Sequence, residues 1–139
     1  MQMPSVSFET PSVSVVIAAF NAEESLVRAV ESALAQTVPV EVIIVDDASS
    51  DRTLELAFAL MRAHPQVRIL TSGANEGPSA ARNKGIVAAR GEWIAILDAD
   101  DAFAPERLRQ LTALGERHDA DMVADNLHFG DWNAGRVVG

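Results

Sequence analysis

The 139-residue chain contains no cysteine. That absence excludes disulfides, thiolate zinc sites and cysteine nucleophiles, and it fits a reducing compartment. Basic residues are scarce: 11 Lys and Arg stand against 20 Asp and Glu, a formal charge of −9. Nucleic acid is therefore not an expected partner, because phosphate binding needs a Lys/Arg surface. No apolar run reaches the ~18–20 residues that cross a bilayer. The N-terminal stretch MQMPSVSFETPS has neither the basic start nor the long apolar run of a signal peptide. A cytoplasmic location is expected, with the inner face of a membrane as a place of work. What is present is 48% apolar and 22% charged residues, which are globular proportions, and a length that suits one domain. The acids then have two uses: a solvated surface, or carboxylates gathered around a cation.

Residues 1–12 are polar and read as a loose leader, with the domain over 13–139. Val13 to Ala18 is an apolar run interrupted only by Ser14, which suits a strand buried on both faces of a parallel sheet. Asn21 stands three residues before Glu24 and predicts a capped helix from about Ala22 to Gln36, with Leu26, Val30, Ala33 and Leu34 inward. Glu41 to Val45 reads as a second strand, followed by a helix with Leu54, Ala57, Phe58 and Met61 on one face. Val67 to Thr71 is a third strand, and a small-residue helix runs from Ser79 to about Ala89. Trp93 to Leu97 is a fourth strand. Pro105 opens another helix with Leu108, Leu111 and Leu114 inward, and Asp121 to Ala124 reads as a fifth strand. Alternating strands and helices give an α/β, mostly parallel sheet with helices on both faces. Ligands in such sheets bind beyond the carboxyl ends of the strands.

The polar clusters fall at those ends: Asn21 after the first strand, then Asp46, Asp47, Ser49 and Asp51 after the second. Asn75, Gly77 and Ser79 follow the third strand, and Asp98, Asp100 and Asp101 the fourth. Six carboxylates are thereby expected on one rim, where like charges repel and a divalent cation would relieve them. Asp98 and Asp100, two apart in an extended segment, point the same way. Mg²⁺ is commonly held by one or two carboxylates plus substrate phosphates. The bland alternatives are that Asp101 caps the next helix and that the acids after the second strand only stop it. Arg82 lies one turn into a helix whose N-terminus favours phosphate. His64, His118 and His128 have no ligand spacing, Trp93 suits a core position, and Trp132 is unplaced.

Taken together, V-S-V-V-I-A-A-F-N, V-D-D-A-S-S-D-R-T, N-E-G-P-S-A-A-R-N-K-G and L-D-A-D-D resemble the inverting family-two glycosyltransferases, from about Pro11 to Asn126. The resemblance implies a Rossmann-like GT-A fold, the nucleotide-sugar-binding portion, truncated before the acceptor-binding part. It implies a nucleotide-sugar donor, most simply a UDP-sugar, with Mg²⁺ or Mn²⁺, a carbohydrate or glycolipid acceptor, and polysaccharide or glycolipid assembly. Carried over by position, Asp47 reads the base, Ala18 and Phe20 line the nucleotide pocket beside Asn21, and Arg82 borders the donor. Asp98 lies near ribose or sugar, and Asp100 is the metal ligand of the DXD motif. The family's catalytic base comes from a later segment, so the resemblance places it outside this chain, and Asp125 and Asp131 are not assigned to it. Donor binding without transfer is then expected, with a non-catalytic nucleotide or metal module as the alternative. A phosphatase-like use of Asp98 as nucleophile fits less well, because the Asp-X-Asp of such enzymes follows the first strand. A receiver domain lacks its late Lys. In the resembling fold a later antiparallel strand lies between strands four and five. Without it strand four leaves an open edge or strand five shifts, and a homo-oligomer through that edge is expected.

Overall fold

The computed structural model describes residues 10–125. The expectations for most of the leader and for His128, Asp131 and Trp132 lie outside the described residues. Four parallel strands, β1 (Val13–Ala19), β2 (Val40–Asp46), β3 (Val67–Thr71) and β4 (Trp93–Ile96), form one sheet in the order β3-β2-β1-β4. They alternate with α1 (Leu26–Leu34), α2 (Thr53–Ala63), α3 (Pro78–Ala88) and α4 (Arg107–Arg117). The chain steps outward from β1 to β3, then returns across β1 to place β4 on its other side. The reversal of strand order therefore lies between β1 and β4.

β1 is central and almost wholly buried because every one of its faces is covered. Val13, Val15, Ile17 and Ala19 join Val42 and Ile44 in a core with Leu26, Ala29, Val30, Ala33, Ala57, Leu60 and Leu108. The opposite face, with Ile43 and Val45, meets Ala81 of α3. There Gly85 permits close approach: a Cβ at that position would lie 2.3 Å from Val16 Cγ1. At the amino ends of the strands a polar cluster ties the sheet to the turn after α3. Ser14 Oγ donates to Glu41 Oε1 at 2.8 Å, Arg68 pairs with Glu41 at 3.3 Å, and the Arg90 and Gly91 amides donate to Glu41 and Ser14.

Several sequence expectations change. Residues 121–125 form no strand; Val123 instead lies beside Gly115 of α4, near the Trp93 ring. β4 is an edge of the described sheet, as expected without a neighbour, and Ile94 and Ile96 are each 42% exposed on it. In α2 the buried face is Thr53, Ala57 and Leu60, while Phe58 and Met61 turn outward. In α4 Leu108 is buried but Leu114 is exposed. Helix α1 begins at Leu26 rather than Ala22, with no side-chain cap.

Candidate functional site

A cleft of about 580 Å³ opens at the carboxyl ends of β1 and β4, at the point where strand order reverses. Ala18, Ala19, Phe20, Asn21 and Ala22 line it from the end of β1. Asn75, Gly77, Pro78, Ala81 and Arg82 line it from the start of α3, Asp98, Ala99 and Asp100 from the loop after β4, and Asp47 from the end of β2. All seven residues expected to contact donor or metal (Ala18, Phe20, Asn21, Asp47, Arg82, Asp98 and Asp100) thus border one cavity. Alanines make its floor, which leaves room for a planar ring, and Phe20 stands half-exposed at the rim.

Asp47 follows β2 and is 3% exposed. Its Oδ1 accepts from the Glu76 amide and its Oδ2 from the Gly77 amide, both at 2.9 Å. The carboxylate clasps the loop that opens α3, and each oxygen retains a further lone pair. Gly77 takes φ +95, a conformation that L side chains rarely adopt, and Pro78 at the first helical position has no amide to leave unpaired.

Asp46 points to the other face, since successive strand residues alternate. It is 2% exposed, Oδ2 accepts from the Ser49 amide at 3.3 Å, and Oδ1 is buried with no partner among the described residues. Asp51 is spent on the Thr53 amide and hydroxyl and the Glu23 amide. Desolvation pushes its carboxyl up, but those hydrogen bonds together hold it below the usual carboxylate range. The expectation of six carboxylates on one rim is therefore corrected: only Asp98, Asp100 and Asp101 gather.

Asn21 does not cap α1. Its backbone is left-handed (φ 48), and its Oδ1 accepts from the Ser50 amide at 2.8 Å, while its own amide donates to Ser49 Oγ. With Ala22 donating to Thr53 Oγ1, this fastens the loop after β1 to the loop after β2. Asn21 reaches the cleft as part of that joint.

The ligand atoms of Asp98, Asp100 and Asp101 lie within 4.8 Å of one another, and all three residues are exposed. Partial desolvation, then the charges of Asp100 and Asp98, push the Asp101 carboxyl above its ordinary range, against a pull from Arg28. Asp101 caps no helix; α4 starts after Glu106 without a side-chain cap. Three hard oxygen donors at this spacing suit Mg²⁺ or Mn²⁺ and not a soft metal. Arg82 Nη2 donates to Asp98 Oδ1 at 3.1 Å. Asp125 is held by Arg107 at 2.7 Å and does not line the cleft. The parts that the sequence did not single out, the Glu76 amide and the lining alanines Ala19, Ala22, Ala81 and Ala99, carry no side-chain signature of their own.

The geometry has counterparts among known proteins. Succinoglycan biosynthesis protein ExoO of Rhizobium meliloti (strain 1021) is 46% identical over 128 residues, covering 91% of this chain and 36% of that protein. The crystal structure of S. aureus TarS 1-349 in complex with UDP is 28% identical, with a TM-score of 0.71 over 78% of this chain and 33% of that one. Mannosyltransferase PcManGT from Pyrobaculum calidifontis, in complex with GDP-Man and Mn²⁺, is 25% identical, with a TM-score of 0.69 over 76% and 32%. The chain spans about a third of the length of these relatives. Among the described residues no helix is long and apolar enough to cross a membrane. The α/β fold is that of the GT-A glycosyltransferases, and the family model for Glycosyl transferase family 2 matches residues 14–137. The chain belongs to glycosyl transferase family 2.

Proposed function

We propose that this chain is the donor-binding part of an inverting glycosyltransferase that uses a nucleoside-diphosphate sugar, a UDP-sugar in the first instance. The observation that carries this reading is the convergence in one cleft of the Asp47 carboxylate, a helix N-terminus with Arg82, and Asp98 and Asp100 of the acid cluster. Neighbouring folds bound to UDP, UDP-GlcNAc and GDP-Man support it.

In this reading the base enters between Phe20 and the alanine floor, and a remaining lone pair of Asp47 accepts the uracil N3–H. The fixed clasp on the Glu76 and Gly77 amides occupies one lone pair of each oxygen, which suits a base offering one N–H there. Asp98 approaches the ribose or sugar. Asp100, with Asp101 beside it, would hold Mg²⁺ or Mn²⁺, which when bound neutralises the charge developing on the leaving diphosphate. The N-terminus of α3 adds fixed positive potential on the same side, and the Arg82 guanidinium adds a positive charge beside it.

Transfer with inversion requires the acceptor hydroxyl to attack the anomeric carbon opposite the diphosphate. The electron pair of the broken C–O bond leaves with the nucleotide, and a carboxylate takes the hydroxyl proton. No residue of this chain is assigned that last role, so donor binding without transfer is expected of the chain by itself. Calorimetry with UDP and uridine, with and without Mn²⁺, tests the reading. Asp100→Asn is expected to weaken Mn²⁺-dependent UDP binding at least tenfold and uridine binding little. Equal loss of both makes Asp100 structural, and no binding of either ligand by the unmodified chain removes the proposal. Sugar transfer by the 139 residues alone would overturn the donor-only assignment.

A further inference from the structure

Arg82 and Asp98 confront each other within the cleft, one turn into α3 and just past β4. The guanidinium Nη2 donates to Oδ1 at 3.1 Å, and both side chains are more than a third exposed. Arg82 Nε is buried yet has no hydrogen-bond partner. The guanidinium therefore makes one contact where its fork allows a bidentate one, and one N–H stays desolvated without compensation. An exposed pair of this kind is weakly held. Asp98 is at the same time one of three carboxylates whose ligand atoms lie within 4.8 Å of one another.

We propose that Arg82 is a latch on the acid cluster that makes cation and nucleotide bind together and resist binding singly; this rests on the donor-binding reading above. A guanidinium is charged at all working pH values. Against Asp98 it withholds one carboxylate and repels a divalent ion approaching the other two. A diphosphate in the cleft offers oxygens that the guanidinium fork and its idle Nε–H fit better than the single Asp98 contact. Moving there, Arg82 releases Asp98 and cancels its own charge. Each ligand then favours the other by the same factor, as linkage requires.

The test is a pair of titrations on the whole chain, Mn²⁺ alone followed by free-Mn²⁺ electron paramagnetic resonance, and UDP at saturating Mn²⁺ by calorimetry. Removing one charge roughly 6 Å from a divalent ion in a water-like dielectric corresponds to about tenfold in affinity. Arg82→Ala is expected to bind Mn²⁺ alone about tenfold more tightly and UDP about tenfold more weakly. Arg82→Lys, which keeps the charge and loses the fork, is expected to stay near the unmodified chain for Mn²⁺ and fall between for UDP. Opposite signs are the signature, since a structural loss weakens both. Should Arg82→Ala not fold, the contrast of Arg82→Lys with Arg82→Gln decides by the same signs. If Mn²⁺ binds the variant no more tightly than the unmodified chain, the latch is refuted and the donor-binding reading stands. If neither chain binds Mn²⁺ or UDP, both fall.

Discussion

Replacing Gly85 by alanine tests whether the seat of α3 on β1 sets the width of the cleft. The added methyl would stand 2.3 Å from Val16 Cγ1, 3.2 Å from Cγ2 and 3.3 Å from Cβ, whereas carbon atoms rest at about 3.5–4.0 Å. Val16 is fully buried and its branched side chain has little rotameric freedom, so the helix must lift by roughly 1 Å. Overpacking of this kind costs about 1–3 kcal/mol, offset by about 1 kcal/mol of helix propensity gained on losing glycine. A net loss of about 1 kcal/mol is expected, read as a lower urea midpoint at unchanged slope. Arg82 precedes Gly85 by three residues and shares its side of the helix. The same lift displaces Arg82 and the start of α3 within the cleft that they line, so UDP affinity is expected to fall several-fold. Val16→Ala opens the space the methyl needs, and the double variant is expected to lose less than the two single losses together. A raised midpoint for Gly85→Ala, or losses that simply add, would refute the reasoning.

Asp47→Asn leaves one acceptor oxygen for two amides and sets an NH₂ against an N–H. Hydrogen bonds to a charged acceptor contribute about 1.5–3 kcal/mol. Faster hydrogen exchange at Glu76 and Gly77, with uridine and UDP affinities falling together, is the expected result. Asp101→Asn concerns pH. The carboxyl is raised in the folded chain, so its ionised form disfavours folding at neutral pH and not below the ordinary value of 3.8. Thermal melts should show a small gain at pH 7 that vanishes below about pH 3.8, and saturating Mn²⁺ should reverse it. Glu41→Gln breaks the cluster with Ser14 and Arg68. About 2 kcal/mol is expected to be lost, less than for a fully buried pair because Arg68 is partly solvated. Mn²⁺ affinity should not change, because this cluster lies at the opposite ends of the strands.

What the sequence made legible follows from which forces are local. The run Val13 to Ala18 reads as a strand buried on both faces because only Ser14 in it is polar, and the small-residue helix expected from Ser79 begins one residue earlier, at Pro78. The strand-end positions of Asp98 and Asp100 followed from those boundaries. Asn21 forms a joint that its local sequence does not reveal, because its partners, the Ser49 hydroxyl and the Ser50 amide, are 28 and 29 residues away, whereas the local pattern with Glu24 reads as a helix cap. Asp46 and Asp47 share one strand end but point to opposite faces, so adjacency in sequence does not put their carboxylates together. In α2 two apolar stripes share Ala57, and packing against α1, β2 and β3 selects the one that continues to Leu60 over the one with Phe58 and Met61. The segment 121–125 offers only the short apolar stretch Met122 to Ala124 between two acids and has no neighbour to pair with among the described residues, so it forms no strand. The cluster of Ser14, Glu41 and Arg68 depends on register, which sets Ser14 opposite Glu41, and register is not written in either run separately.

The mounting of α3 bears on how charge is handled in the cleft. The helix is held at its start by the Asp47 clasp and in the middle by the Gly85–Val16 contact. At its end Arg68 donates to the Ala88 carbonyl at 3.0 Å. Its amide dipoles are thereby fixed in direction before any anion arrives. Water around a free diphosphate must reorient as negative charge grows on the departing oxygen, whereas dipoles fixed in advance need not. On the donor-binding reading proposed above, such a scaffold keeps reorganisation energy low on the helix side and leaves what adjustment remains to one side chain, Arg82.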